Sequence, residues 1–347
     1  MARKAGKVSI FTVASELGIS PATVSRVLNN RTGVGEATRR AVLELVRKYD
    51  FKLNYPQQHK PVVSIVINHL MGVSNYAAKV LTGIYSYLGT QDIIGSVVTA
   101  DPREEHSILL RAREQQSSGI IIIVPQPFQH QLPELSGCGL PVMLVDERTE
   151  IENIGYIDND AYSGSVELMQ YLLDCGHRKI GFLLHWPEDI NHRLRLRGYK
   201  DSLLNIGIEA PESWVMSYDP SAHGIGWRSG ELMFEELITR HPDLTAVIAV
   251  NDELAVTAMH RAAQMKIRIP EDISIAGFDD NDYSKFLTPE LTTVFHPCAE
   301  AGELAGKAIA DYLASNGKNV LPKVVLPTRL IVRNSTGNAK EISVGQK

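Results

Sequence analysis

Residues 8–29 read VSIFTVASELGISPATVSRVLN, and this stretch decides the fold of the N-terminal part of the chain. Two helical patterns flank a turn at 17–19, where Gly18 suits the left-handed backbone that such a turn requires. Ser20 offers the side-chain oxygen of an N-cap, and Pro21 stands at the first helical position, where its missing N–H is no loss. The stretch therefore predicts a helix-turn-helix whose second helix begins at Pro21.

The second helix divides into two faces at the helical period of about 3.6 residues. The apolar face comprises Val24, Val27 and Leu28, and the opposite face comprises Ala22, Ser25, Arg26 and Asn29. This division is typical of a helix that packs on a partner helix and enters a DNA major groove. We expect Arg26 to read guanine or to hold a phosphate, and Ser25 and Asn29 to contact phosphates. A small helical hairpin with a solvated face is the alternative that this stretch leaves open.

Charge is unevenly distributed along the chain. Residues 1–60 contain eleven Lys/Arg and four Asp/Glu, a formal charge of +7, so the remainder carries −12 to give the total of −5. A basic head on an acidic body is the pattern expected when only the head contacts nucleic acid. A third helical pattern at 36–49 closes the head, and the polar stretch at 52–61, KLNYPQQHKP, predicts a linker.

The composition is that of an intracellular protein with more than one domain. The 347 residues are 44% hydrophobic and 22% charged, which is enough for a large core. We find no apolar run near the roughly 20 residues that span a bilayer, and no apolar region of a signal peptide. The three cysteines, Cys138, Cys175 and Cys298, are too scattered for a disulfide framework or a zinc site. We expect a cytoplasmic protein with no cofactor and no bound metal.

From residue 62 onward, short β-branched runs alternate with longer amphipathic patterns, which predicts an α/β body of doubly wound parallel sheets. The stretch is long for one such sheet, so we expect two α/β lobes. The predicted strands are 62–68, 93–99, 120–124, 142–145, 180–184, 246–250 and 273–278. The predicted helices are 76–88, 104–116, 161–173, 194–205, 229–239, 254–266 and 299–314.

Ligands of open α/β sheets gather beyond the carboxyl ends of the strands. The polar residues that follow the apolar runs are Asn68, Asp146, His185, Asn251, Asp252, Asp279 and Asp280. Acids and amides that converge on one cleft suit a sugar or another polyol, to which Arg195 would add donors. Tyr76 or Trp227 would supply a stacking surface. Some strand-end residues cap helices instead, and we expect Asp252 to cap the helix that follows it.

The sequence contains near-matches to motifs of cofactor binding and catalysis, but their residues do not have the required spacing. The stretch 224–230 is out of register for a dinucleotide fingerprint, and 302–307 is one residue short of a phosphate loop and lies inside a helical pattern. The sequence has no HExxH helix and no G-x-S-x-G elbow, and His177, His185 and His192 lack the spacing of metal ligands. We therefore expect a binding protein without catalytic residues.

Runs of specific residues add a family resemblance to these patterns. In the head the run is TVSRVLN at 23–29. In the body the runs are LPVMLVD at 140–146, GHRKI at 176–180, VNDELA at 250–255, IPEDI at 269–273, GFDD at 277–280, LTTV at 291–294 and RNST at 333–336. In this order they resemble, nearly end to end, the lactose/galactose repressor (LacI/GalR) family of bacterial transcription regulators.

The resemblance implies a regulator, most often a repressor, whose affinity for operator DNA is controlled by a small molecule, foremost a sugar. It also implies a body like a periplasmic sugar-binding protein, with two lobes that the chain crosses three times. By matched position, the effector contacts would be Asp146, Asn191, Arg195, Asn251 and Asp279. The aromatic residue common five positions before Gly230 is Ile225 here, which leaves stacking to another residue such as Trp227.

In the head, the resemblance places the start of the recognition helix, with Ser20 and Thr23 beside it, against the DNA. Its two leading positions, Pro21 and Ala22, lack hydrogen-bonding side chains. We therefore expect readout there to be limited to apolar contact, for example with a thymine methyl group.

The linker departs from the family pattern. Members usually follow the residue matching Asn54 with a hinge helix containing Ala-Arg-x-x-Leu, whose leucine enters the minor groove and bends the duplex. The stretch NYPQQHKP here is several residues shorter and has no such leucine. We expect minor-groove insertion to be lost or replaced. The tail lacks apolar heptads, so we expect a homodimer rather than a coiled-coil tetramer.

The expected divisions are a helix-turn-helix domain at 1–53, a hinge at 54–61, an effector-binding and dimerisation body at 62–337, and a tail at 338–347. Three alternatives remain at this point: a sensor of the same fold with weakened or lost operator binding, a sugar-binding transport protein, and a sugar- or nucleotide-dependent enzyme. The salt dependence of DNA binding separates the first from a regulator, because true DNA binding weakens steeply with salt. The second needs an export signal, and the third needs a nucleophile, a metal set or a phosphate loop.

Overall fold

The computed structural model of the chain describes residues 10–28, 33–49, 60–68, 74–124, 126–218 and 227–340, without the side chains of Arg47, Trp227 and Arg228. The chain divides into two compact units between Lys60 and Pro61. The predictions for Asn29, most of the linker, Ile225, the Trp227 side chain and 341–347 lie outside the described residues.

The head contains three helices, α1 (Ile10–Leu17), α2 (Pro21–Leu28) and α3 (Glu36–Lys48). The expected turn separates the first two, with Gly18 at a φ of 64°. Ser20 is the N-cap of α2, because its Oγ accepts a hydrogen bond from the Thr23 N–H at 3.1 Å. The three helices close on a core of Val13, Ala14, Val24, Val27, Leu28, Val42 and Val46.

The first lobe of the body is built on a six-stranded parallel sheet. In spatial order its strands are β11 (Lys323–Leu326), β5 (Ile154–Asn159), β4 (Val142–Val145), β3 (Gly119–Ile123), β1 (Val62–Asn68) and β2 (Ile94–Ala100). One face of the sheet packs on α4 (Asn75–Leu88) and α11 (Cys298–Ala314). The other face packs on α5 (Ser107–Glu114) and α6 (Leu132–Ser136), which follows a 3-10 turn at Gln126–Gln131.

The second lobe has a four-stranded parallel sheet. Its strands in spatial order are β7 (Val215–Ser217), β6 (Ile180–Leu184), β8 (Ala246–Ala249) and β9 (Ser274–Ala276). Its helices are α7 (Ala161–Asp174), α8 (Ile190–Asn205), α9 (Trp227–Arg240) and α10 (Asp252–Gln264), with 3-10 turns at Glu212–Trp214 and Ser284–Phe286. The two lobes match the doubly wound parallel architecture that the sequence predicted.

The chain crosses between the lobes three times, as expected. One crossing follows β5, another follows β10 (Thr293–Phe295), and the third joins β11 to β12 (Arg329–Ile331). Strands β10 and β12 pair antiparallel and form a two-stranded ribbon between the lobes. His296 directly follows this ribbon, so its side chain starts from a point where both lobes meet.

Helices α4 and α11 approach each other backbone to backbone. A Cβ added at Gly83 would lie 1.9 Å from the Ala299 carbonyl oxygen, and one added at Gly302 would lie 2.1 Å from the Val80 carbonyl oxygen. The near-match to a phosphate loop at 302–307 is therefore part of a helix-packing face, in agreement with its place inside a helical pattern.

The sequence patterns placed seven strands to within two residues of their observed ends but missed β5, β7, β10, β11 and β12. Three of these have only three residues, which is too short for an alternating pattern to register. Helix α8 begins at Ile190 rather than at 194, because Asp189 Oδ1 accepts from the N–H groups of Asn191 and His192. The apolar pattern hides this start, since Asn191 is a buried polar residue.

Within the part of the chain that the structure describes, no helix combines the length and the apolar character needed to cross a membrane.

Candidate functional site

Helix α2 presents one buried and one accessible face. Val24, Val27 and Leu28 are buried in the head core, as their spacing predicted. Pro21, Ala22 and Arg26 are exposed, and Thr23 and Ser25 are partly exposed. The start of the helix is fixed by Ser20, whose Oγ also lies 2.9 Å from the Thr23 Oγ1. The accessible face is therefore held on a rigid, capped helix and carries one cation.

In the body, two aspartates from different lobes converge on one histidine. Asp146 follows β4 of the first lobe, and Asp279 follows β9 of the second. Their φ angles of 64° and 111° are rare for residues with side chains and persist only where the surroundings enforce them. The Nε2 of His296 lies 3.1 Å from Asp146 Oδ1, and its Nδ1 lies 3.6 Å from Asp279 Oδ1. The Tyr76 ring stacks on the imidazole with centroids 5.6 Å apart.

Arg195, from α8, is fixed within the second lobe. Its Nη2 lies 3.2 Å from Asp279 Oδ1, and its Nη1 donates to the Val250 carbonyl at 2.7 Å. The guanidinium carbon lies 3.7 Å from the centre of the Phe278 ring. Only 4% of the residue is exposed. The stacking on Phe278 and the hydrogen bond to Val250 hold the guanidinium group in place, and its charge is paired with that of Asp279.

Three further hydrogen bonds, from two side chains, join the lobes across the cleft. Asn191 of the second lobe donates from Nδ2 to the Asp146 carbonyl at 3.1 Å and to Asp158 Oδ1 at 3.2 Å. Farther out, Lys79 of α4 donates from Nζ to the Asp280 carbonyl at 2.7 Å. The conformation described here is therefore one in which the lobes touch through polar side chains.

The cleft shifts the pKa values of its ionisable groups in opposite directions. Burial acts to raise the pKa of Asp146, but the charge and hydrogen bond of His296, with further hydrogen bonds, hold it below its ordinary value. Burial acts to lower the pKa of His296, but the Asp146 carboxylate foremost holds it well above its ordinary value. Both shifts favour an imidazolium between carboxylates.

Several buried polar atoms of this cleft lack a hydrogen-bond partner within the described part of the chain. They are Tyr76 Oη, Asn191 Oδ1, Arg195 Nε and His296 Nδ1. Leaving such a group unsatisfied costs about 1–3 kcal/mol. The set includes both donors and acceptors, so it fits a ligand whose groups can do both, as hydroxyls can.

The structure separates the predicted site residues of the body into two groups. Asp146, Asn191, Arg195 and Asp279 come together in the cleft, with Tyr76 above them. Asp280 instead pairs with Arg333 at 2.6 Å. The Nδ1 of His185 is inaccessible and has no partner among the described residues, and burial holds the pKa of this histidine well below its ordinary value.

The prediction that Asp252 caps α10 was wrong. Asn251 is the N-cap, because its side-chain oxygen accepts from the Leu254 N–H at 3.0 Å. Asp252 is fully buried and accepts from the Asn281 N–H at 2.8 Å and from the hydroxyls of Ser284 and Thr293, each at 2.6 Å. Sequence position does not distinguish these two neighbours, because either side chain has an oxygen that suits a cap.

Sequence reasoning missed three buried residues of this region. His296 follows a three-residue strand, and Asp158 lies within the unpredicted strand β5. Glu147 follows Asp146 directly and accepts from Gln129 Nε2 at 3.0 Å. Burial and the charge of Asp189 raise the pKa of Glu147 to about 7. Among the described residues there is no cluster of three or more His, Cys, Asp or Glu side chains arranged to hold a metal ion.

Comparison with known proteins agrees with both parts of the chain. The family profile described as "Bacterial regulatory proteins, lacI family" matches residues 9–54, and that described as "Periplasmic binding protein-like domain" matches 169–336. Catabolite control protein A of Priestia megaterium is 28% identical over 342 residues, which cover 95% of this chain and 99% of that protein. The regulator GalS of Salmonella typhimurium is 30% identical over 311 residues, with coverages of 86% and 88%.

Among solved structures, the complex of the transcriptional regulator CelR with cellobiose has a TM-score of 0.69 at 25% identity, and the match covers 94% of this chain and 99% of that one. A helix-turn-helix head on a two-lobed binding body defines a DNA-binding transcription regulator with a ligand-binding domain. The chain belongs to the LacI family of bacterial regulatory proteins. The relatives that match it are transcription regulators rather than enzymes.

Proposed function

We propose that this protein is a cytoplasmic repressor that binds operator DNA as a homodimer and is controlled by a sugar bound between the two lobes of its body. Family membership supports the class, and the head supports the DNA contact, because its formal charge of +7 contrasts with −12 for the rest of the chain. The observation that carries the effector half is the group of unpartnered polar atoms in the cleft.

The operator contact is made by the accessible face of α2. Arg26 is its cation and reads a guanine or holds a phosphate. The DNA backbone is contacted by hydroxyl and amide groups, which come from Ser20, Thr23, Ser25 and Asn29. Pro21 and Ala22 are exposed at the leading end of the helix. Their apolar surfaces suit a thymine methyl group. Two heads on one pseudo-palindromic site would combine two weak half-site contacts, which favours a dimer.

The effector is held by Asp146, Asn191, Arg195 and Asp279, with Tyr76 as the apolar surface. Both carboxylates accept from hydroxyls, and the unpartnered Nε of Arg195 donates. We assign Trp227 and Asn251 to the same site. Trp227 would stack on the ligand, and Asn251 would donate from its Nδ2, because only its Oδ1 is used in capping the helix. The structures of related regulators include complexes with cellobiose and with ribose, which supports a sugar here.

Control follows from the contacts between the lobes. A ligand that bonds to Asp146 on one side and to Asp279 on the other favours the closed arrangement of the body. If the closed and open arrangements present the two heads of a dimer differently, effector binding changes operator affinity, and operator DNA changes effector affinity by the same factor. The effect of the short linker on DNA bending stays a prediction.

The operator half is tested by replacing Arg26 with Ala and measuring affinity for the operator selected from genomic fragments by the parent protein. We expect a loss of at least about fivefold, in line with the 1–3 kcal/mol of a base contact. Arg40→Ala, which removes the same charge from an exposed position on α3, is the matched control and should lose less. Equal affinities of the parent and Arg26→Ala would contradict the assignment. Weak, sequence-indifferent binding by the parent would favour the sensor that has lost its operator.

The effector half is tested with Asp279→Ala. We expect this variant to keep the operator affinity of the parent but to need at least about tenfold more of any sugar that releases the parent from DNA, because a charged hydrogen bond contributes about 1.5–3 kcal/mol. Asp311→Ala is the matched control, since it removes the same carboxylate from an exposed position of α11, away from the cross-lobe contacts. An unchanged response of Asp279→Ala would place the effector outside this cleft.

A further inference from the structure

His296 occupies a position that faces both lobes at once. It lies on the crossing between β10 and α11, and only 3% of the residue is exposed. Its two ring nitrogens point at different carboxylates, with Nε2 3.1 Å from Asp146 and Nδ1 3.6 Å from Asp279. A neutral imidazole carries one N–H, whereas an imidazolium carries two. The two-sided arrangement therefore suits the charged form.

The contacts of His296 fall on a single oxygen of each carboxylate. Oδ1 of Asp146 also accepts from Asn159 Nδ2 at 3.1 Å, and Oδ1 of Asp279 also faces Nη2 of Arg195 at 3.2 Å. The contacts found among the described residues use only Oδ1 of Asp279, whereas Asp146 also feels the Tyr76 hydroxyl, which helps to hold the pKa of its carboxyl low. The Oδ2 of Asp279 therefore remains as an acceptor for a hydroxyl of a ligand.

Charged and titratable groups reach the imidazole from every element packed on it. They are Asp146 after β4, Asp279 after β9 with its partner Arg195 from α8, the Tyr76 hydroxyl from α4, and the Cys298 thiol on α11. Burial opposes the charged imidazole, but the carboxylates outweigh it, so the pKa of His296 lies well above its ordinary value. Two cations then face two carboxylates, and the charges balance before a ligand enters.

We propose that His296 determines the charge class of the effector: it bridges and neutralises Asp146 and Asp279, so that the cleft accepts an uncharged polyhydroxylated ligand and rejects an anionic one such as a sugar phosphate. A phosphate would find both cations already paired, and it would face carboxylate oxygens that accept hydrogen bonds but do not donate them. This inference rests on the proposed effector role of the cleft and adds the charge of the ligand to it.

The first test measures the charge of His296 in the full-length protein without DNA or ligand, so its outcome is independent of the operator and effector tests. Histidine side chains are labelled with nitrogen-15, and the imidazole signals are followed between pH 5 and 9. The signal of His296 is identified by its loss in His296→Gln. We expect that signal to be in the doubly protonated form at pH 7, where an ordinary histidine is mostly neutral. A neutral ring at pH 7 would overturn the proposal.

The second test uses inorganic phosphate as the probe of the anion site. Asp279→Asn keeps the shape of the side chain but removes the carboxylate that Arg195 and His296 share. We expect phosphate to raise the unfolding midpoint of this variant by a few degrees more than that of the parent, compared at matched ionic strength, because ligand binding stabilises the folded state. The gain should disappear in the Asp279→Asn/His296→Gln double variant. Equal responses of the parent and Asp279→Asn would overturn the proposal, and the histidine titration decides the matter if Asp279→Asn does not fold.

Discussion

Asp252 is the residue at which burial and charge conflict most directly. It has no exposed surface, and three donors from the loops after β9 and from β10 converge on its carboxylate. Burial and the charge of Asp279 nevertheless raise its pKa to about 7. The three hydrogen bonds reduce the penalty for burying the charge without removing it. These hydrogen bonds hold the loop that carries Asp279, so the free-energy penalty of burying Asp252 is linked to the geometry of the cleft.

This conflict predicts a pH dependence of stability. Because the pKa of Asp252 is higher in the folded protein than the ordinary value of 3.8, the folded state holds a proton that the unfolded chain releases between these values. The contribution of this group to stability is therefore greatest below about pH 4 and is lost as the pH rises through about 7. Between pH 5 and 8 we expect the free energy of unfolding of the parent to fall by about 3 kcal/mol relative to Asp252→Asn.

Urea unfolding at a series of pH values measures this difference. Asp311→Asn, at an exposed position of α11, is the matched control and should run parallel to the parent. The comparison isolates Asp252 from Glu147, whose pKa is also about 7, because Glu147 is present in all three proteins. If the curves of the parent and Asp252→Asn are parallel across this range, the buried carboxylate does not titrate as the structure indicates.

At the scale of elements, the contact between α4 and α11 decides where the cleft residues stand. Tyr76 and Lys79 lie on α4, and His296 lies just before α11. Each of the two helices therefore positions side chains at the boundary between the lobes. The helices meet at Gly83 and Gly302, where the backbone of the partner occupies the space of a side chain. A larger residue at either glycine must push the helices apart, since the obstacle is a carbonyl group rather than a flexible side chain.

We therefore expect Gly83→Ala to destabilise the body by about 3 kcal/mol or more, at the upper end of the range for overpacked cores. Gly137→Ala is the matched control, because a Cβ there would have its nearest neighbour at 3.8 Å and the backbone φ is −99°. Thermal unfolding midpoints of the two variants provide the measurement. A midpoint of Gly83→Ala as high as that of Gly137→Ala would mean that the helices separate without cost.

At the scale of the whole body, the proposed control by an effector depends on the balance between arrangements of the two lobes. Lys79 connects α4 of the first lobe to the loop after β9, with Nζ 2.7 Å from the Asp280 carbonyl and 3.9 Å from an Asp282 carboxylate oxygen. Asn191 and His296 make the other cross-lobe contacts described above. In the proposed mechanism, a contact made only in the arrangement described here shifts the balance between the arrangements by its own free energy.

Replacing Lys79 with Met is expected to shift the body toward the open arrangement, because it removes a hydrogen bond to a cross-lobe carbonyl worth about 1.5–3 kcal/mol when the donor is charged. Small-angle X-ray scattering of the protein without ligand should then give a larger radius of gyration for Lys79→Met than for the parent. Lys307→Met, at an exposed position of α11, removes the same charge and should match the parent. Equal radii for Lys79→Met and Lys307→Met would show that Lys79 does not hold the lobes together.

Local rules were sufficient wherever a feature depends on neighbours in sequence. The Gly18 turn, the Ser20 cap and the apolar face of α2 follow from conformational preference and helical period, and the structure confirms them. The longer strands and helices of the body were found because their apolar residues repeat often enough to show a period. Asp146 and Asp279 were selected because they follow such strands.

Features that depend on distant partners were not accessible in the same way. Strands β10 and β12 exist because they pair with each other between the lobes, and neither has enough residues to show a period of its own. Whether Asn251 or Asp252 caps α10 was decided by Ser284, Thr293 and Asn281, which occupy the Asp252 carboxylate from elsewhere in the chain.

The sequence by itself determined the class of this protein: a basic helix-turn-helix head, an acidic α/β body, and strand-end carboxylates suited to a polar ligand. Only the tertiary structure decided that His296 lies between Asp146 and Asp279 and that Arg195 is paired with Asp279. The physical reason is that composition and period report on local conformation and burial. The pairing of charges instead requires residues about 150 positions apart to be brought within hydrogen-bond distance by the crossing of the chain between the lobes.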